Sequence, residues 1–283
     1  MSKYEPEKYW QERLSRDFSL VGVGSLGLGI GYNQWLYKAR IRALTKLLKK
    51  NRINAQGKRV LDIGVGNGFY VDYWKRKGAK SITGIDITEK SVSVLMTKYP
   101  AYEFMKADIS SEELALEGTF DIITAFDVLF HIVDEDKFEQ AISNIRRLSH
   151  HETRVLISDS FLRSLRPTRF HQNQNYRTLK RYQGVLKEEG IEMVELVPIF
   201  YFMTTPSDMA AVKSKFFRWM LPNTRALILK GLSLSKRLPL FSRSMDFLIG
   251  HALGFLFYFI DGIILKNAKD GPSEKLLFAK IKE

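Results

Sequence analysis

The chain has 283 residues, of which 45% are apolar and 27% are charged. This length is enough for one domain with a full hydrophobic core, plus a cap or an insertion. The absence of cysteine excludes disulfides, zinc sites with thiolate ligands and a cysteine nucleophile. The N-terminal segment is polar and charged, unlike a signal or transit peptide, so we expect a cytoplasmic protein.

The net charge of +13 would attract phosphates, nucleic acid or anionic lipid surfaces. A lysine-rich, solvated surface would explain the same charge without any partner. The sequence has neither a zinc-finger spacing nor a run of basic residues interleaved with aromatics, which are common signs of nucleic-acid binding. We therefore expect no nucleic-acid partner.

Between residues 58 and 199, short apolar runs alternate with amphipathic stretches. This alternation is typical of a parallel sheet covered by helices on both faces. The strands are predicted at residues 58–63, 80–85, 102–106, 120–126, 154–158, 191–199 and 274–282. The helices between them are predicted from the glycine turn to about residue 77, and at 89–98, 134–149 and 176–189. The predicted fold class is α/β, with a doubly wound, seven-stranded and mostly parallel sheet.

The chain divides into four predicted segments. Residues 1–57 form an N-terminal helical extension, which includes an amphipathic helix at 32–50. Residues 58–199 form the core, residues 200–270 a helical insertion, and residues 271–283 the last strand of the core sheet. Tyrosines and tryptophans are dense in the extension, so we expect it to pack over the cleft.

Three glycines at alternate positions follow the first predicted strand and precede a helix. They are Gly64, Gly66 and Gly68, and Asp62 lies just before them. Glycine permits a positive φ and a close approach of ligand to backbone, while the start of a helix offers free N–H groups to an anion. A dinucleotide site would require G-x-G-x-x-G. Here the third glycine comes one residue early and Phe69 occupies the last position, so an NAD(P)-dependent oxidoreductase is disfavoured.

This segment closely resembles the signature of the class I methyltransferases that depend on S-adenosylmethionine (SAM). The match consists of Asp62, Gly64, Gly66 and Gly68, and the resemblance extends over roughly residues 58–199 and the final strand. It implies a Rossmann-like fold, SAM as the cofactor, and cofactor-binding roles for these four residues.

The same resemblance assigns roles to residues that follow the next three strands. Asp86, followed by Ile87, matches the acid that binds both ribose hydroxyls in that family. Asp108, followed by Ile109, matches the acid that contacts the adenine amino group. Asp127 corresponds to the residue beneath the methionine end of SAM.

Residues 22–27 match the dinucleotide pattern G-x-G-x-x-G literally. No convincing strand precedes them, and residues 32–61 contain no acid at the distance that such a site requires. We interpret this segment as a flexible loop near the active site.

Methyl transfer is an in-line displacement, in which the protein mainly positions the acceptor and excludes water. A base is needed only when the acceptor must lose a proton. His131, just after the fourth strand, is the first candidate; packing against the cofactor and capping of the next helix are its alternative roles. His171 is the second candidate. Asp127, Asp159 and Asn173 match no metal-binding spacing known to us, so we expect no metal.

Residues 206–243 carry eight Lys or Arg against one acid, and residues 245–265 are almost entirely apolar. Asp246, His251 and Asp261 make a membrane span costly. Three roles stay open for residues 206–265: a helical lid, a homodimer interface and a peripheral membrane contact. In the last case we expect a lipid-linked acceptor.

The predicted function is methyl transfer to an oxygen of a small-molecule or lipid-type acceptor. The alternative from another class is a membrane-associated protein that binds SAM without catalysis. An NAD(P)-dependent oxidoreductase is the third hypothesis.

Overall fold

The computed structural model describes residues 4–164, 172–235 and 242–282. Within these ranges, seven strands form one sheet. The strands are β1 (Arg59–Ile63), β2 (Ser81–Asp86), β3 (Glu103–Lys106), β4 (Phe120–Phe126), β5 (Ser149–Asp159), β6 (Ile191–Pro198) and β7 (Lys275–Ile281).

The strand order is β3-β2-β1-β4-β5-β7-β6. β1 to β5 run parallel to one another, whereas β7 is antiparallel to both β5 and β6. The order reverses between β1 and β4, and in open α/β sheets such a reversal leaves a crevice at the carboxyl ends of the strands. The predicted fold class is confirmed.

Helices cover both faces of the sheet. α2, α3 and α4 contribute to the apolar core on one face, and α5 and α6 to the core on the other. The helices are α1 (Pro6–Arg16), α2 (Gly29–Lys50), α3 (Phe69–Arg76), α4 (Glu89–Lys98), α5 (Glu135–Arg147), α6 (Leu179–Glu188), α7 (Lys215–Ser235) and α8 (Ser242–Ile264).

The fifth strand is longer than the sequence predicts. β5 begins at Ser149, five residues before the expected start at Arg154. Ser149 pairs with Phe120, and the register shifts before the regular pairing that begins at Ile122. The polar run 150–152 concealed this part of the strand, because its side chains lie near the surface and do not alternate as those of a buried strand do.

Two helices begin later than predicted because a side chain caps each of them. α6 starts three residues late, since the hydroxyl of Thr178 accepts the N–H of Arg181. α5 starts one residue late, since the carboxylate of Asp134 accepts the N–H of Lys137. Both are ordinary N-cap arrangements.

α8 lies along α2 and is fixed to the core by Asp261. The two helices approach so closely that a Cβ at Gly31 would lie 2.4 Å from the carbonyl oxygen of Phe247. The buried carboxylate of Asp261 accepts the N–H groups of Tyr201 and Phe202, both at 2.8 Å. Burial raises the pKa of Asp261 to about 6, although the backbone hydrogen bonds oppose this shift.

Replacement of this anchor tests its contribution to stability. Asp261→Ala should lower the free energy of unfolding by about 2 kcal/mol, because two buried N–H groups lose their acceptor. Asp261→Asn retains one oxygen and should fall between the wild type and Asp261→Ala. Urea unfolding measures both values, and an alanine variant as stable as the wild type would contradict the anchoring role.

Candidate functional site

A cavity of about 670 Å³ lies at the carboxyl ends of β1, β2, β3 and β4. Its volume is in the usual range for a cofactor pocket. Eight of the nine predicted cofactor residues and one predicted catalytic residue line it: Asp62, Gly64, Gly66, Asp86, Ile87, Asp108, Ile109, Asp127 and His131.

The glycine turn forms one wall of the cavity. Gly64 and Gly68 have φ values of 68° and 79°, which favour glycine. A Cβ at Gly64 would lie 2.4 Å from Cγ2 of Val128, and one at Gly68 would lie 2.6 Å from Cδ2 of Leu95. Gly68 caps α3 and is not among the cavity-lining residues, so its place is in shaping the turn.

Asp62 is buried at the end of β1, and only one of its two carboxylate oxygens has a hydrogen-bond partner among the described residues. Its Oδ1 accepts the hydroxyl of Thr124 at 2.7 Å, whereas its buried Oδ2 has no hydrogen-bond partner among the described residues. Burial raises the pKa of Asp62 to about 7; the Thr124 hydrogen bond lowers it and the charge of Asp86 raises it further. A cationic ligand in the cavity would stabilise the ionised carboxylate.

Asp86 connects the end of β2 to the glycine turn. Its Oδ1 accepts the N–H and the hydroxyl of Thr88 at 2.9 and 2.7 Å, and its Oδ2 accepts the N–H of Gly66 at 2.9 Å. Burial raises the pKa of Asp86, and these hydrogen bonds oppose that shift. A carboxylate offers about four acceptor positions, so a ligand would share the fourth with the hydroxyl of Ser91, which also reaches Asp86.

Asp108 is held in place by the residue two positions further along the chain. Its Oδ1 accepts the N–H of Ser110 at 2.9 Å and its hydroxyl at 2.7 Å. This local turn orients the carboxylate at the cavity wall, beside Ile109.

Asp127 has a backbone φ of 60°. Its Oδ1 accepts the hydroxyl of Ser158 at 2.7 Å, and its Oδ2 lies 2.8 Å from a terminal nitrogen of Arg40. A positive φ is uncommon for a residue other than glycine, although aspartate adopts it more readily than most. The two contacts hold the carboxylate beneath the cavity.

Arg40 is a site residue that the sequence reasoning missed. The same nitrogen that contacts Asp127 lies 2.7 Å from the carboxylate of Glu274, while Nε and the other terminal nitrogen have no hydrogen-bond partner among the described residues. Burial lowers the pKa of Arg40, but the two carboxylates more than compensate and raise it above its ordinary value. Because Arg40 lies four residues from both Leu36 and Leu44, helical spacing already placed it on the buried side of α2.

His131 ends a short 3₁₀ helix, Leu129–His131, that follows β4. Its Nδ1 lies 2.8 Å from the carbonyl oxygen of Asn173. A carbonyl only accepts, so Nδ1 carries the proton and Nε2 has a free lone pair. Burial lowers the pKa of His131 to about 4, although the hydrogen bond to Asn173 and the charge of Asp127 oppose the shift. The imidazole is therefore neutral at physiological pH.

The N-terminal extension covers the cavity. Trp10 lies in its wall and meets the ring of His131 edge-on at 4.8 Å. Nε of Arg13 donates to the carbonyl oxygen of Gly22 at 2.6 Å, which fastens α1 to the loop. Val23 in this loop lines the cavity and lies against the glycine turn. The segment 22–27 follows a helix rather than a strand, unlike a dinucleotide site.

Two further sequence candidates have different outcomes. His171 lies outside the described residues. Asp159 is buried, accepts the N–H of Ser160 and the hydroxyl of Tyr182, and is not a lining residue. Within residues 4–164, 172–235 and 242–282, no group of three or more His, Cys, Asp or Glu is arranged to hold a metal ion.

The raised pKa of Asp62 predicts a pH-dependent gain in stability for Asp62→Asn. The carboxyl has a usual pKa of 3.8 and a folded pKa of about 7, so its contribution to stability is fully present below pH 3.8 and is lost as the pH rises through 7. The variant stays neutral and keeps the acceptor for Thr124. Without added ligand, its advantage should be absent at pH 4 and reach roughly 2 to 4 kcal/mol at pH 8.

Urea unfolding of both proteins at several pH values measures this difference. A difference that does not change with pH would mean that Asp62 does not titrate in this way.

Residues 60–151 match a protein-family model described as a methyltransferase domain. Two curated relatives are both ubiquinone biosynthesis O-methyltransferases. The protein from Paracidovorax citrulli is 36% identical over 97 residues, and that from Pseudomonas aeruginosa is 26% identical over 168 residues. The matches cover 32% and 53% of this chain, and 40% and 71% of those relatives. The chain thus spans less than half the length of the first relative.

Among solved structures, the magnesium protoporphyrin IX methyltransferase from Synechocystis, crystallised with bound SAM, has a TM-score of 0.51. It is 18% identical in sequence, and the match covers 69% of this chain and 91% of that one. At this identity the similarity concerns the fold.

Proposed function

We propose that the chain is a class I, SAM-dependent methyltransferase that binds SAM in the cavity described above, because residues 60–151 match a family model described as a methyltransferase domain. It transfers the methyl group to an oxygen of a small-molecule acceptor. The observation that carries the proposal is the set of four carboxylates around a cavity that borders the glycine turn: Asp62, Asp86, Asp108 and Asp127.

SAM carries groups that can donate hydrogen bonds to these carboxylates or pair with their charge. Its ammonium would pair with the unpartnered Oδ2 of Asp62, and a ribose hydroxyl would donate to the fourth acceptor position on Asp86. Its adenine amino group would donate to Asp108. The negative charge of Asp127, beneath the cavity, would favour the positive sulfonium. The free N–H groups at the start of α3 suit the cofactor's carboxylate.

Bound SAM would supply an activated methyl group, and the chain's own residues would position and desolvate the acceptor. Nε2 of His131 accepts the hydroxyl proton as the acceptor oxygen attacks, because Nδ1 is already committed to Asn173. α1 and Trp10 exclude water from this region. Whether His171 also faces the acceptor stays a prediction.

An oxygen acceptor is supported by the relatives, which are named as O-methyltransferases. Aromatic rings around the cavity favour a flat acceptor, and we therefore propose a phenolic hydroxyl. The rings are those of Trp10, Tyr37, Phe69, Tyr70 and Phe126.

The two alternative hypotheses have less support. The glycine spacing and the helix before residues 22–27 disfavour an NAD(P)-dependent oxidoreductase. A SAM-binding protein without catalysis would not need a neutral histidine with a free lone pair in the cavity wall. We further propose a cytoplasmic location with peripheral contact to a membrane through residues 206–265; a homodimer through that segment is the competing possibility.

The ribose contact can be tested by binding alone. Asp86→Ala should weaken SAM binding at least about tenfold, because one charge-assisted hydrogen bond and the support of the glycine turn are lost. Isothermal titration calorimetry measures the affinity, with Asp136→Ala on the exposed surface of α5 as the control. Equal affinity in the wild type and Asp86→Ala would refute the assignment.

Substitution of His131 should affect turnover but not the binding of SAM. His131→Ala should reduce kcat about 10²- to 10³-fold while leaving the affinity for SAM within about twofold of the wild type. The assay follows tritiated methyl transfer from SAM to a panel of simple phenols and catechols. Since the base is already neutral above pH 4, the wild-type kcat at saturating SAM should show no inflection near pH 6.5. An unchanged kcat would indicate that His131 only packs.

A further inference from the structure

The outward sides of α7 and α8 carry large apolar side chains that are exposed among the described residues. We call this surface the α7–α8 outer face. Exposed apolar surface of this extent commonly marks a contact site with a protein or a membrane. Its members are between 50% and 68% exposed: Phe216, Trp219, Leu248, Phe255, Leu256, Phe259 and Ile263.

The opposite side of α8 is already occupied by the domain. A Cβ at Gly254 would lie 3.0 Å from Cβ of Trp35 on α2. Arg42 of α2 donates to the carbonyl oxygen of Tyr258 at 2.8 Å, and Asp261 holds the backbone of residues 201 and 202. By length and composition, Phe247–Ile264 would suffice to cross a membrane. Its polar contacts to the domain instead place α8 lengthwise on the surface, with one side available for a partner.

The same part of the chain is strongly basic. Residues 209–269 contain ten Lys or Arg against two Asp, at 246 and 261. Asp261 is buried and bonded internally, so it does not offset the basic charge at the surface. This composition is complementary to an anionic partner.

The cations lie next to the aromatic rings. Residues in the first turns of α7 share an apolar cluster with residues in the last turns of α8, so these two ends are neighbours. Exposed cations flank Phe216 and Trp219 in α7, and others follow Ile263 at the end of α8. They are Lys213, Lys215, Arg218, Lys266 and Lys269.

We propose that the α7–α8 outer face docks on an anionic lipid bilayer. Trp219, Phe216 and Phe259 enter the interface between headgroups and acyl chains, while the adjacent Lys and Arg side chains contact lipid phosphates. Interfacial helices commonly combine one apolar side with flanking cations in this way.

A second copy of the chain fits this surface less well. In a two-fold symmetric dimer, the same patch would face itself and bring like charges together. An anionic bilayer instead neutralises these cations. The docking proposal does not depend on catalysis.

Vesicle co-sedimentation with the full chain tests the proposal. Vesicles of phosphatidylcholine containing 30% phosphatidylglycerol are compared with vesicles of phosphatidylcholine alone. At 0.1 M NaCl, binding to the anionic vesicles should be at least about tenfold tighter, and 0.5 M NaCl should reverse most of the binding.

Two variants test the two parts of the surface. Phe259→Glu should abolish sedimentation by placing a charge in the apolar row, and the double variant Lys213→Glu, Lys215→Glu should remove the preference for anionic vesicles. The matched control is Met96→Glu on α4, where a similarly exposed apolar residue lies on another surface. Circular dichroism and urea unfolding establish that each variant is folded.

Several outcomes would overturn the proposal. These are no sedimentation with anionic vesicles, sedimentation unaffected by Phe259→Glu, or a dimer by light scattering that Phe259→Glu dissociates while vesicles remain unbound. Calorimetry with SAM is a separate measurement, so a failure of the docking proposal is distinguishable from a failure of the proposed function.

Discussion

Burial of carboxylates around one cavity is the constraint on which the site depends. Desolvated carboxylates are costly unless hydrogen bonds or positive charges compensate them. Thr88 and Gly66 donate most of the hydrogen bonds that the carboxylate of Asp86 can accept. Arg40 and Ser158 compensate the carboxylate of Asp127 through an ion pair and a hydrogen bond. Asp62 alone among these cavity carboxylates keeps a buried oxygen without a partner in the described part of the chain. A cationic ligand would complete this arrangement, which explains why the geometry favours SAM.

The resemblance to SAM-dependent methyltransferases named the acids of the site, and one physical reason explains why they lie close together. Parallel strands end at the same edge of a sheet, so acids that follow successive strands converge there. Asp86 and Asp108 are placed by that rule. Through packing of the N-terminal extension, Trp10 reaches the same cavity and Arg40 reaches the carboxylate of Asp127 in the cavity wall. No local spacing shows which strand ends a distant helix will cover. The start of β5 was missed because its polar residues do not alternate.

The core and the added helices serve different purposes. The strand order and the glycine turn provide the cofactor cavity and are common to many reactions, so the fold does not identify the acceptor. α1 and the loop at 22–27 close the cavity, while α7 and α8 extend the domain on another side. The fold therefore leaves the acceptor open, and the matches to the two curated relatives cover 32% and 53% of this chain.

Calorimetric titration with SAM at pH 7, in two buffers of different ionisation enthalpy, is the most direct measurement. Burial leaves Asp62 partly protonated at this pH, and an arriving ammonium favours its ionised form. We expect binding at one site with release of a fraction of a proton, and loss of that release in Asp62→Asn. Absence of SAM binding would contradict the cavity's assignment, and binding with identical proton release in Asp62→Asn would contradict the role of Asp62.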